Sequence, residues 1–209
     1  MCIRDSPVPT RQLYHDCAEN RERSKGAAVN MPDNNVVSVG SRAICWSKRA
    51  LEVMDWLGVS EACVGKGVTW KVGRTFHREA AVFNFDLLPE DGHKMPAFVN
   101  LQQFWVEDYL VDRALAVGAY LRWKKRVVVA EQLAHHDVLT VETPDGRYTL
   151  EVDWVIACDG ARSPVREMLG LEFDGELFEE RFLIADIEMQ ADFPSERLFW
   201  FEPTFHNGQ

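Results

Sequence analysis

The apolar residues of this chain recur in two rhythms. Between Ser47 and Leu57 they fall at Ala50, Leu51, Val53, Met54, Trp56 and Leu57. That spacing predicts a helix, ended by Gly58, with its apolar face used for core packing. A second helix is predicted over 101–117, capped by Asn100, with Phe104, Val106, Leu110, Ala114 and Leu115 on one face and Gly118 as its stop. β-like runs cover 68–76 and 81–87, followed by the turn Pro89-Glu90-Asp91-Gly92. Four more cover 120–123, 126–131, 138–143 and 148–152, the last two joined by the turn Thr143-Pro144-Asp145-Gly146. These four predict a small antiparallel meander. Further on, 182–189 alternates and 198–201 is short and aromatic, which predicts strands of a second sheet. The N-terminal 7–30 is polar. A fainter trace there reads as a helix over 18–24, a turn at Gly26, a short strand over 27–31, and the acid Asp33 after it.

The meander feeds the most informative stretch, Asp153 to Arg166. An apolar run from Trp154 to Cys158 predicts a buried strand that ends in Asp159-Gly160. A helix then begins, with Ser163 as its cap, Pro164 at its first position and Arg166 in its first turn. An acid and a glycine between a strand and a helix N-terminus make a corner suited to a nucleotide. Glycine admits a ligand close to the backbone. A carboxylate accepts from ribose hydroxyls, and an arginine offers a pyrophosphate a planar fork of donors. The same residues also suit an ordinary Asp-Gly turn and a Ser-Pro helix start.

Bulk properties narrow the classes. The 209 residues are 46% hydrophobic, enough for one sizeable core or one domain and part of another. A net charge of -10 argues against nucleic-acid or anionic-membrane partners. Five cysteines, with no Cys-x-x-Cys, predict neither a disulfide framework nor a metal site, and point to a reducing, cytoplasmic setting. No apolar run approaches the roughly 20 residues of a membrane span. His77, His93, His135 and His136 lack metal-ligand spacing, and Lys124-Lys125-Arg126 reads as a solvated turn.

The string Asp-Gly, two residues, Ser, two residues, Arg after an apolar strand resembles the fingerprint of the FAD-dependent aromatic hydroxylases. These are single-component flavoprotein monooxygenases with a p-hydroxybenzoate-hydroxylase-like fold. Asp159, Gly160, Ser163 and Arg166 fill its slots. Gly40-Ser41-Arg42-Ala43 resembles the family's Ser-Arg-Ala segment, and the glutamine pair Gln102-Gln103 lies where the family starts a helix beside the flavin. The strings 40–48 and 153–170 are most similar to the branch related to 3-(3-hydroxyphenyl)propionate hydroxylase.

The resemblance implies an α/β fold: an incomplete Rossmann-like FAD-binding domain with part of a β-sheet substrate domain. Its implied division is 1–70 and 99–172 for the FAD-binding domain, 71–98 as an excursion into the substrate domain, and 173–209 as the start of the substrate-domain sheet. It implies FAD and NAD(P)H as cofactors, and cofactor-binding roles for Asp33, Arg42, Gln103, Asp159, Gly160, Ser163 and Arg166. The spacing to Glu107 and Leu110 favours Gln103 over Gln102. Without the resemblance, Asp33 is a loop acid, Arg42 a solvated arginine, and the two glutamines exposed amides. The chain has no Gly-x-Gly-x-x-Gly turn to precede Asp33.

The implied activity is hydroxylation of a phenolic or aromatic substrate using NAD(P)H and O2. The chain shows no nucleophile elbow, paired carboxylates or metal-ligand cluster, so no catalytic acid or base is assigned. Expected partners are a small aromatic molecule and O2, with a homodimer compatible and no nucleic acid or membrane. A reductase or halogenase using the same fold, or a non-catalytic remnant with weak nucleotide binding, are the alternatives. Met1 to Ser6 resembles a translated adapter, and the chain stops just after an aromatic segment. An internal fragment of a longer protein is therefore expected.

Overall fold

The computed structural model describes residues 43–176, 178–179, 188, 190 and 192–205, together with the backbone of two short strands at 2–3 and 27–28. Its elements, in chain order, are β1 (Cys2–Ile3), β2 (Ala27–Ala28), β3 (Cys45–Ser47), α1 (Lys48–Leu57), α2 (Ser60–Lys66), β4 (Val68–Trp70), β5 (Val72–His77), β6 (Ala80–Asp86), β7 (Phe98–Asn100), α3 (Gln103–Ala116), β8 (Tyr120–Leu121), β9 (Arg126–Gln132), β10 (Asp137–Thr143), β11 (Gly146–Val152), β12 (Val155–Ile156), α4 (Pro164–Met168) and β13 (Arg197–Phe201). The mixture is α/β, and the chain forms two compact units, each discontinuous: 38–113 with 182–209, and 1–37 with 114–181.

In the first of these units, the predicted helix forms as α1. Ser47 caps it by accepting from the Ala50 N–H (3.4 Å), and Gly58 ends it at φ +79°, a conformation that favours glycine. Its buried face, Leu51 and Met54, packs with Val59, Cys63, Met95, Val99, Leu101 and Val106. β7 is the centre of a three-stranded sheet, antiparallel to both β3 and β4.

Two expectations fail here, both because strand pairing is not local. Asn100 does not cap the second helix, which begins at Gln103. It ends β7 instead, facing Cys45 and Val68 on its two neighbours, and its side chain accepts from the Trp70 indole N–H (2.8 Å). The run 68–76 is not one strand. It breaks at Lys71 into β4 and β5, which belong to different sheets. β5 is the middle of the second sheet, antiparallel to β6 and parallel to β13. That sheet is rich in aromatic contacts: Phe76 stacks on Trp200 at 4.8 Å, and Phe85 lies 6.0 Å from Phe83 and 6.1 Å from Phe199.

In the second unit three of the four predicted runs form the antiparallel meander, while the first, shortened to β8, pairs with β2 in another sheet. β10 pairs with β9 and β11, and its Leu139 and Val141 are fully buried among Val127, Leu150, Val152 and Val165. The Thr143 hydroxyl accepts from the Asp145 N–H (3.1 Å) in the tight turn, and Gly146 has φ +134°. Another sheet runs β12-β1-β2-β8, with β2 parallel to β8. The expected buried strand 154–158 is here only the two-residue β12, and Trp154 and Ile156 are 70% and 60% exposed. β12 stands at the end of its sheet, and only Val155 turns toward the meander core. The predicted helix 18–24, most of 27–31, and most of 182–189 lie outside the described residues.

Candidate functional site: an acid–glycine corner at a helix start

The corner that follows β12 is built by local hydrogen bonding. Pro164 occupies the first turn of α4, where its missing N–H leaves nothing unpaired. The Ser163 hydroxyl oxygen accepts from the Arg166 N–H at 3.0 Å, and Asp159 Oδ2 accepts from the Val165 N–H at 3.2 Å. The buried Ser163 hydroxyl donates in turn to the Asp159 carboxylate. Two side chains therefore share the orphan amides of the helix start. The buried Val165 side chain fixes α4 to the meander, so the corner stands on a packed base.

Burial pushes the Asp159 carboxyl up, but the bonds from Ser163 and Val165 outweigh it and hold the group below the usual carboxylate range. Asp159 is thus an anion fixed in place and half-buried. A carboxylate has about four acceptor positions, so two internal bonds leave room for a ligand's hydroxyls.

Gly160 adopts φ +85°, and among the described residues no atom beyond its chain neighbours lies within 4 Å of where a Cβ would project. The glycine is required by its backbone angle, and the space beside it is open. The Arg166 guanidinium donates to the Ala161 carbonyl (3.0 Å) and lies 5.1 Å over the Phe173 ring. It braces the loop between the acid and the helix.

Gln103 is in the other unit, at the start of α3. Its Oε1 accepts from the Ala43 N–H at 3.1 Å, and its Nε2 donates to Glu107 Oε1 at 2.5 Å. The structure thus brings Asp159, Gly160, Ser163 and Arg166 into one corner and sets Gln103 beside the residue that follows Arg42. Arg42 and Asp33 themselves lie outside the described residues. Sequence reasoning missed the Val165 N–H as a partner of Asp159, and it took Glu107 only as a mark of spacing. The four-residue interval from Gln103, one helical turn, was the available signal. Among the described residues, no group of three or more His, Cys, Asp or Glu could hold a metal, and no helix is long and apolar enough to cross a membrane.

An acid and a glycine placed before a capped helix, on an α/β scaffold, are parts that nucleotide-binding proteins use. The sequence model of one family, the FAD binding domain, matches residues 31–207, and the chain belongs to that family. It is 34% identical over 152 residues to rifampicin monooxygenase of Streptomyces venezuelae, covering 72% of this chain and 30% of that protein. It is 41% identical over 87 residues to 3-(3-hydroxy-phenyl)propionate/3-hydroxycinnamic acid hydroxylase 2 of Burkholderia vietnamiensis, covering 38% of this chain and 16% of that protein. The resemblance to that branch read from the sequence therefore has a curated counterpart. Among solved structures, p-nitrophenol 4-monooxygenase of Pseudomonas putida superposes with a TM-score of 0.60 at 26% identity, covering 69% of this chain and 37% of that one. The chain spans about 30% of the length of the curated relatives that it matches over most of its own length.

Proposed function

We propose that the protein carrying this chain is an FAD-dependent monooxygenase that hydroxylates a phenolic or other aromatic substrate with NAD(P)H and O2. The observation that carries this reading is the Asp159 corner. It combines an ionised, braced carboxylate, an open glycine and an adjacent guanidinium, which is the donor and acceptor set a dinucleotide needs.

In this reading Asp159 accepts from ribose hydroxyls. Gly160 lets the sugar-phosphate chain approach the backbone. Arg42 and Arg166 meet pyrophosphate oxygens of FAD or NAD(P)H. Ser163 holds Asp159, Gln103 serves the cofactor from the start of α3, and Asp33 takes the adenosine ribose. The bound flavin supplies the redox and oxygen chemistry; the residues of this chain bind and orient it. The aromatic β13-β5-β6 sheet contributes to the wall that faces the substrate. The printed activities of the relatives support an aromatic substrate class. The acidic chain argues against nucleic-acid or anionic-membrane partners, and its cysteine usage fits a reducing, cytoplasmic setting.

The test has two parts. Titration of the purified chain with FAD should quench flavin fluorescence at micromolar protein, and unchanged fluorescence would favour the alternative of a remnant with at most weak nucleotide binding. The parent protein should oxidise NAD(P)H in step with formation of a hydroxylated phenol. Steady oxidation yielding only peroxide, across many phenols, would refute the hydroxylase and favour a reductase.

A further inference from the structure

We propose that Glu107 is a positioning residue for the cofactor site: it orients the Gln103 amide, whose oxygen holds the Ala43 N–H and fixes the backbone that follows Arg42. The inference rests on the FAD reading above, in which Gln103 serves the cofactor.

The β3–β7 ladder ends at the pair Cys45–Asn100, and one more bond follows, from the Leu101 N–H to the Ile44 carbonyl (2.8 Å). The chain then turns into α3, whose backbone cannot continue the ladder. The Gln103 side chain takes over, with Oε1 on the Ala43 N–H at 3.1 Å. It extends the pairing by one further residue, from Ile44 to Ala43.

An amide has a donor end and an acceptor end of nearly the same shape, so its orientation is set by what each end meets. One helical turn along, Glu107 Oε1 takes the Nε2 end at 2.5 Å. An ionised carboxylate only accepts, so it selects the orientation that turns Oε1 toward Ala43. Gln103 and Glu107 are both half-buried, so water competes weakly with this contact. Glu107 acts through Gln103 and makes no claim to touch the cofactor.

The test uses Glu107→Lys, alone and with Gln103→Glu, in the full chain. An ammonium only donates, so the single variant turns the amide oxygen away and sets its N–H groups against the Ala43 N–H. The Ala43 amide should then exchange with solvent faster, and the Kd for FAD should rise about three- to tenfold, the loss of one hydrogen bond. Added positive charge alone would tighten binding of an anionic dinucleotide, which is the opposite sign. In the double variant the carboxylate introduced at position 103 accepts from both Ala43 and the new ammonium, and the exchange of the Ala43 amide should return toward wild type. Unchanged exchange and Kd in the single variant would overturn the proposal. So would a double variant whose Ala43 amide exchanges as fast as in the single one, since a general disturbance of the helix is not rescued by charge. A wild-type chain that leaves flavin fluorescence unchanged removes the FAD reading, and with it the cofactor role given to Glu107. The exchange of Ala43 then decides separately whether Glu107 orients the amide.

Discussion

Substituting Asp159 in two ways separates its capping role from its proposed cofactor role. Asp159→Ala removes the acceptor for the Val165 N–H, now at 3.2 Å, and for the Ser163 hydroxyl. Removing a side-chain acceptor from a helix start costs about 0.5–2 kcal/mol. Water can reach this half-buried corner and satisfy part of what is lost, so stability should fall by about 1–2 kcal/mol. Asp159→Asn keeps an oxygen for the Val165 N–H and is an equally good capping group, so stability should change by less than about 1 kcal/mol. Both variants lose the charge. A hydrogen bond to a charged group is worth about 1.5–3 kcal/mol against about 0.5–1.5 for a neutral pair. FAD affinity should therefore fall roughly tenfold for the Asn variant and about ten- to a hundredfold for the Ala variant. Urea denaturation and flavin fluorescence titration on the same preparations measure the two effects. Equal FAD affinity in all three proteins, with stability lowered only in the Ala variant, would refute the reasoning and leave Asp159 as a helix cap.

Other substitutions test the frame around this corner. At Gly73 an added Cβ would lie 2.0 Å from Phe85 Cζ, so Gly73→Ala should destabilise by about 1–3 kcal/mol in urea melts, where a strand glycine otherwise gains from alanine. Phe85→Leu should relieve most of that loss, and a neutral Gly73→Ala would show that the ring does not rest there. Gly160→Ala meets no neighbour within 4 Å among the described residues but must adopt φ +85°, so strain should destabilise it by about 1–2 kcal/mol in the same assay. Asp55 is held below the usual carboxylate range by the Lys94 ammonium first and the Ser60 hydroxyl second. Its folded pKa is depressed, so its contribution is fully present above the unfolded value near ~3.9 and is lost as pH falls through the folded one. Asp55→Asn should flatten that acid limb of the stability profile, and an unchanged limb would show that other carboxylates set it.

Local signals were the legible part of this chain. Ser47, Gly58, Ser163 and Pro164 mark helix ends through bonds made within a few residues, and the structure uses them so. The meander was legible because its turn and alternating runs are adjacent in sequence. Asn100 was misjudged because its partners, Trp70 and Cys45, are 30 and 55 residues away. The break at Lys71 was hidden for a similar reason: two strands in line look like one run until their partners are known. Trp154 and Ile156 read as buried because apolar runs usually are, yet β12 ends its sheet. At the site, residue types and spacing located the corner, but the sharing of the Asp159 carboxylate between a helix start and a ligand needs coordinates.

The parallel pairing of β13 with β5 has a consequence for synthesis. The contact between Arg78, just beyond β5, and Glu202, just beyond β13, closes a span of 124 residues. A ribosome adds about 5–20 residues per second, so the β5–β6 hairpin waits about 6–25 seconds for its third strand. During that interval β5 has an open edge, and Phe76 has no Trp200 to stack on. Closing so long a loop is also slow in refolding from denaturant, because its entropy is lost before the pairing gives anything back. Vectorial growth of the chain thus sets the order of assembly: the meander can close while the sheet of β5, β6 and β13 is still incomplete.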